Sequence, residues 1–161
     1  MGSYDNALVC ENGHVINSSA QRNPEFSSKH CSTCGSKAVD RCSSCGRAIK
    51  GEYHVEGVLV AGVRWQPPNH CHECGTPYPW TKRKADALLE AIQELDELKP
   101  EERERLAGSV PDIISNTPKS ETAGLRFKKA IAKLGAGTAK FLKDALMSAA
   151  TEALKKSMGL G

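Results

Sequence analysis

Large rings are scarce in this 161-residue chain, which has two tryptophans, three tyrosines and three phenylalanines, 5% of the sequence. No run approaches the roughly eighteen apolar residues of a membrane-spanning helix. No charged-then-apolar leader with a small-residue cleavage site precedes Tyr4, so a cytoplasmic location is expected. The sequence also lacks a glycine-rich phosphate loop, a Ser/His/Asp arrangement and a carboxylate pair of recognisable spacing. Its expected role is non-enzymatic. Seven cysteines are an odd number for a disulfide framework, which would strand one thiol.

What is present divides into three parts, and the net charge of +3 is a sum of unlike contributions. Residues 1–80 hold all the cysteines and histidines and are neutral by side-chain count. Residues 81–118 carry six basic against nine acidic side chains, and residues 119–161 nine against three. The expected class is α+β, a small metal-bound β module followed by a helical C-terminal region.

The first part is rich in Ser, Gly, Pro and Asn and reads as loops and short strands. Its best strand signal is Glu52 to Trp65, where Tyr53 and Val55 alternate with polar residues and Val58, Val60, Val63 and Trp65 continue beyond phase breaks at Gly57 and Gly62, which suggest a bulge or a hairpin turn. From Thr81 the period becomes helical through Ala85, Leu88, Leu89, Ile92, Leu95 and Leu98. A second short helix starts at Pro100, with Gly108 and Pro111 as its limit. Beyond SNTPKS, a basic helical segment carries Phe127, Ala130, Ile131 and Leu134 on one face, and a last helix runs from about Thr138 to Ser157.

Three knuckles repeat: CSTCG from Cys31, CSSCG from Cys42 and CHECG from Cys71. C-x2-C lets two thiolates of one tight turn face a single ion, and the following glycine permits the left-handed backbone such turns use. A redox pair would call for a thioredoxin-like strand and helix, not three copies in glycine-rich loops. Two tetrahedral ions need eight ligands. The knuckles supply six, and CENGH adds Cys10 and His14, so Cys10, His14, Cys31, Cys34, Cys42, Cys45, Cys71 and Cys74 form the expected ligand set for two structural zinc ions.

Four pairs combine in three ways. The sequential arrangement, Cys10/His14 with Cys31/Cys34 and Cys42/Cys45 with Cys71/Cys74, is favoured because each intervening gap has room for a hairpin. Nested and interleaved pairings are the alternatives. His30 and His70 precede cysteines and are read as surface or supporting residues, His72 as facing water, and His54 as the exposed face of a strand.

The runs CENGHVIN, CSTCG, CSSCGRAIKGEYHVEGV and CHECGTPYPWT, with SNTPKSETAGLRFKK in the tail, resemble the bacterial zinc-ribbon proteins grouped as domain-of-unknown-function family 2321. The resemblance spans nearly the whole chain. It implies a zinc-ribbon fold with the same eight ligands, and it implies no activity.

A scaffold that presents the ribbons to a protein partner, with a helical tail for oligomer or partner assembly, is the leading expectation. Nucleic-acid binding is the runner-up: Arg41, Arg47, Lys50 and Arg64 offer charge, and Trp65, Tyr78 or Trp80 offer stacking. Seven thiolates and two Zn2+ would make the ribbon part net negative, which opposes it. The tail also suits an anionic membrane surface, since Lys128, Lys129, Lys133, Lys140 and Lys143 flank Leu125, Phe127, Ile131, Leu134, Phe141 and Leu142. The simpler reading of those stripes is intramolecular packing.

Overall fold

The structure is a computed structural model that describes residues 1–58, 62 and 64–159. Contacts divide the chain into two compact units, Met1–Thr81 and Lys82–Gly161. The chain is α+β, with small antiparallel sheets in the first unit and helices in the second.

In the first unit β1 (Ser3–Asn6) pairs with β5 (Lys50–His54), and β2 (Leu8–Cys10) lies between β3 (Val15–Asn17) and β4 (Ala38–Val39). The strands are short because knuckles and turns interrupt them. The core is correspondingly small: Ala7, Val9, Ile49, Tyr78 and Trp80 are buried together with Cys42 and Cys71. Tyr78 and Trp80 stack with ring centroids 4.6 Å apart. The Trp80 indole N–H donates to the Pro68 carbonyl at 3.0 Å. Asp5 is also buried, and its carboxylate accepts from the N–H groups of Asn6, Gln21 and Arg22, tying β1 to the turn after β3.

The strand expected over Glu52 to Trp65 is observed only as Lys50–His54, and the chain turns at Gly57 with φ +76°. Val60 and Val63 lie outside the described residues. The inward position of β5 is Gly51, where an added Cβ would stand 2.2 Å from the Ser18 carbonyl oxygen. Tyr53 points outward, opposite Tyr4 across the β1–β5 pair. Apolar alternation misled here because the aromatic residue packs on a ring across an open face while the backbone of a glycine faces the interior. His54, expected on an exposed face, is half-buried.

The second unit contains α1 (Pro79–Gln93, which begins before the division), α2 (Pro100–Ala107), α3 (Val110–Ser115), α4 (Ser120–Ile131), α5 (Ala136–Ala149) and α6 (Glu152–Ser157). Segments 81–118 and 119–161 share one core, in which Leu88, Ile92, Ile113, Phe127, Leu142, Leu146 and Leu154 meet. The apolar stripe expected to face a bilayer or partner is therefore largely spent inside. Phe127 and Leu142 are fully buried, while Leu125 and Phe141 are exposed.

Two boundaries differ from the sequence reading and one agrees with it. α1 stops at Gln93, and Leu95 and Leu98 reach the core from the following turn. α2 ends at Ala107 with Gly108 as its C-cap, the two-turn length expected, and Pro111 then sits in the first turn of a further helix, α3. The expected last helix breaks because Ala150 is extended and Thr151 caps α6, its hydroxyl accepting from the Leu154 N–H.

Acidic and basic segments meet across this core. Glu102 pairs with Lys133, and Glu97 accepts the Gly135 N–H at 2.7 Å at the start of α5. The Thr138 hydroxyl and Gly135 N–H hold Glu97 below the ordinary carboxylate range, and the Lys133 ammonium and Lys99 N–H do so for Glu102. A lowered folded-state value means that this stabilisation is present above the ordinary carboxylate range and is lost as pH falls through the depressed values. Truncating the buried ring in Phe127→Ala is expected to cost about 3–5 kcal/mol. Denaturant titration followed by helical circular dichroism measures this, and tryptophan fluorescence, which arises only from Trp65 and Trp80 in the first unit, should stay native-like until higher denaturant.

Candidate metal centres

Each knuckle closes in the same way. The first cysteine's N–H donates to the carbonyl five residues on (Cys31 to Ser36, Cys42 to Arg47, Cys71 to Thr76), and the glycine N–H donates back to the first cysteine's carbonyl. Gly35, Gly46 and Gly75 all lie at φ +72°, a conformation that a residue with a Cβ adopts with strain. The Cys10–His14 turn is one residue tighter. Cys10 N–H donates to the His14 carbonyl, and Gly13 takes φ +88° against Trp80, whose Cβ would stand 3.0 Å from a Cβ added there.

These turns bring the eight expected ligands into two groups, Cys10, His14, Cys31 and Cys34 in one and Cys42, Cys45, Cys71 and Cys74 in the other. Within each group the donor atoms all lie within 4.8 Å of one another. This is the sequential pairing. In each group two ligands are buried and two are exposed.

The spacings match a tetrahedral ion. With metal–sulfur bonds near 2.3 Å and metal–nitrogen bonds near 2.0–2.1 Å, tetrahedral edges are about 3.8 Å between sulfurs and about 3.6 Å between sulfur and nitrogen. Observed edges are 3.7 Å for Cys10–Cys34, and 3.6 Å for both Cys42–Cys74 and Cys45–Cys71. His14 turns Nδ1 toward the sulfurs, 3.5 Å from Cys10 and 3.6 Å from Cys31. A disulfide needs sulfurs about 2.05 Å apart, and all seven cysteines are free.

Electrostatics points the same way, because four crowded thiols cannot all ionise without a cation between them. In the first group, the Ser36 hydroxyl and N–H and the Asn12 amide lower the Cys34 thiol to about 5, while burial raises Cys10. In the second, the N–H groups of Cys74 and Glu73 lower Cys71 to about 6. Cys45 is pushed up to about 12 although the Arg47 N–H favours its thiolate, because desolvation and three sulfur neighbours oppose the charge. A divalent ion at the centre removes that conflict.

The supporting shell was missed in the sequence, yet it has a signal there. Cys34 and Cys74 are each followed two residues later by a hydroxyl, Ser36 and Thr76, and both thiols are lowered. Cys45 is followed by Arg47 and is not. Asn12 donates to Cys34 Sγ at 3.4 Å and to Ser36 Oγ at 2.8 Å. The Tyr78 hydroxyl, buried and without a hydrogen-bond partner among the described residues, is raised by burial and by the neighbouring Cys71 thiolate.

The remaining histidines stay outside both groups. His30 and His70 take bridge positions opposite Lys37 and Pro77, flanking their knuckles, and His72 is exposed. Tyr78 and Trp80, proposed from sequence as stacking platforms, are buried and unavailable to a base. Tyr4 and Tyr53 are exposed, each 54% accessible, with centroids 4.8 Å apart and the Lys50 ammonium 4.5 Å above Tyr4.

No helix among the described residues is long and apolar enough to cross a membrane. Searches of curated proteins and of solved structures found no match. A family model does match, described as "Uncharacterized protein conserved in bacteria (DUF2321)", over residues 3–158. Since that span takes in both four-donor groups and every described helix, the chain belongs to this bacterial family, domain of unknown function 2321.

Proposed function

We propose that the first unit is a double zinc ribbon in which two zinc ions have a structural role, and that the protein is a non-enzymatic scaffold. The observation that carries this reading is the complete donor set. Three sulfurs and a nitrogen in one group and four sulfurs in the other fill tetrahedral coordination with protein atoms alone. Catalytic zinc keeps a position for water or substrate, whereas filled sites hold structure. Sulfur-rich donors select zinc over hard cations such as Mg2+ and Ca2+. Reduced cysteine ligands also suit a cytoplasmic setting.

Zinc would fix the knuckles, orient the short strands and set the loops between them, in a unit whose apolar core is small. Structural zinc in small modules binds with free energies on the order of 10 kcal/mol per site, which appears as folding free energy. In this reading the ribbons present loops and the Tyr4/Tyr53 face to a protein partner. The helical unit serves assembly, with Leu125 and Phe141 as its exposed apolar positions. Elemental analysis of the purified chain should give two zinc per protein, and Cys10→Ser or Cys42→Ser should each retain about one. A reproducible value near one in the unsubstituted chain contradicts the double site. Chelation should unfold the first unit, seen as red-shifted tryptophan emission, while helical circular dichroism from the second persists.

One observation favours a second reading, binding of single-stranded nucleic acid. Two exposed tyrosines and a lysine share one face, with Trp65, His70 and His72 around an adjoining recess. Such faces stack bases and follow phosphates. On this reading, a labelled oligonucleotide binds at low salt, binding weakens steeply as salt rises, and Tyr4→Ala with Tyr53→Ala removes it. No shift at low salt with single-stranded DNA or RNA eliminates this reading.

A further inference from the structure

Within the second unit, α2 packs against α4, and a cavity of about 120 Å³ lies between them. Its floor is apolar, made by Leu98, Leu106 and Ala130. Its rim is cationic: Arg105, Arg126, Lys129 and Lys133 stand against a single carboxylate, Glu102. Lys133 already pairs with Glu102.

Among the described residues, the other three cations have no acidic partner. Arg126 Nη1 donates to the Ser109 hydroxyl at 2.9 Å, and that fully buried hydroxyl in turn donates to the Arg105 carbonyl, so Arg126 is held in place by a neutral group. Among the described residues, no carboxylate stands within ion-pair distance of Arg105, Arg126 or Lys129. Complementing helix dipoles accounts for Arg105 and Lys129, which sit in the last turn of α2 and α4. It does not account for Arg126, which lies in the middle of α4. Three cations that line one recess, whose single carboxylate is already paired with Lys133, leave it positively charged and favour an anion there.

We propose that this recess binds a phosphoryl group. Two guanidinium forks and an ammonium match the charge and the several acceptor oxygens of a phosphate better than they match a monoanionic carboxylate. The volume is below the roughly 300 Å³ at which cofactor-sized sites begin, so the group bound is a free phosphate or the headgroup phosphate of a lipid. The site is independent of the metal centres, and failure of either assignment leaves the other standing.

The test is calorimetric titration of the full chain, as purified, with inorganic phosphate at low salt, beside sedimentation with phosphatidylglycerol vesicles and with phosphatidylcholine vesicles. Saturable binding at one site per chain is expected, and the Arg105→Gln/Lys129→Gln double variant should weaken it by roughly tenfold or more, as loss of two charge-assisted contacts predicts. Lys128→Gln removes the same charge from α4 outside the recess and should leave binding intact. Both substituted positions are exposed, and unchanged helical circular dichroism verifies folding. A phosphate-dependent rise in melting temperature, absent in the double variant, is the second readout. Phosphatidylglycerol binding that the double variant loses, without binding of free phosphate, upholds the site and assigns it to a headgroup. No binding in either arm, or equal weakening by Lys128→Gln, overturns it.

Discussion

Four cysteine or histidine ligands drawn within 4.8 Å of one another, twice in one small unit, are the constraint on which the first unit depends. Without a cation these sulfurs oppose one another, and their thiols divide into lowered and raised members. With one, the same spacing becomes a tetrahedral coordination shell. The knuckle glycines, the N–H groups aimed at sulfur and the burial of one cysteine pair against Tyr78 and Trp80 all serve that spacing. Apolar burial there is too limited to do the same, with Val9, Ile49 and a stacked Tyr–Trp pair as its main members.

The second unit rests on the ordinary alternative, an apolar core shared by helices from its acidic and basic segments. Glu102 with Lys133 and Glu97 with the start of α5 show that the charge polarity of the sequence is partly satisfied inside this unit. Around Arg105, Arg126 and Lys129, no carboxylate among the described residues stands within ion-pair distance. The tail is therefore better described as one side of a folded helical unit.

The candidate site was far more legible in sequence than the fold around it. C-x2-C-G fixes a local turn, so ligand identity follows from spacing over four or five residues. Which turns share an ion is a tertiary matter, and geometry supplied that choice. The strand was misplaced because its inward residue is Gly51, which carries no hydrophobic signal, while the outward Tyr53 does. Gly108 ends α2 as expected, and α3 was missed because Pro111 was read as part of that limit although Pro fits a first turn. The break before α6 depends on one hydroxyl cap at Thr151, in a stretch whose leucine and alanine period continues unbroken.

If the two groups hold zinc as filled sites, the metal has no place for water or substrate, and the protein's task lies on its surfaces. The most direct measurement is zinc-edge X-ray absorption on the purified chain. The account predicts an average shell of seven sulfurs and one nitrogen over two ions, with sulfur near 2.3 Å and nitrogen near 2.0–2.1 Å and no oxygen. An oxygen donor at either zinc, or a shell with markedly less sulfur, contradicts it.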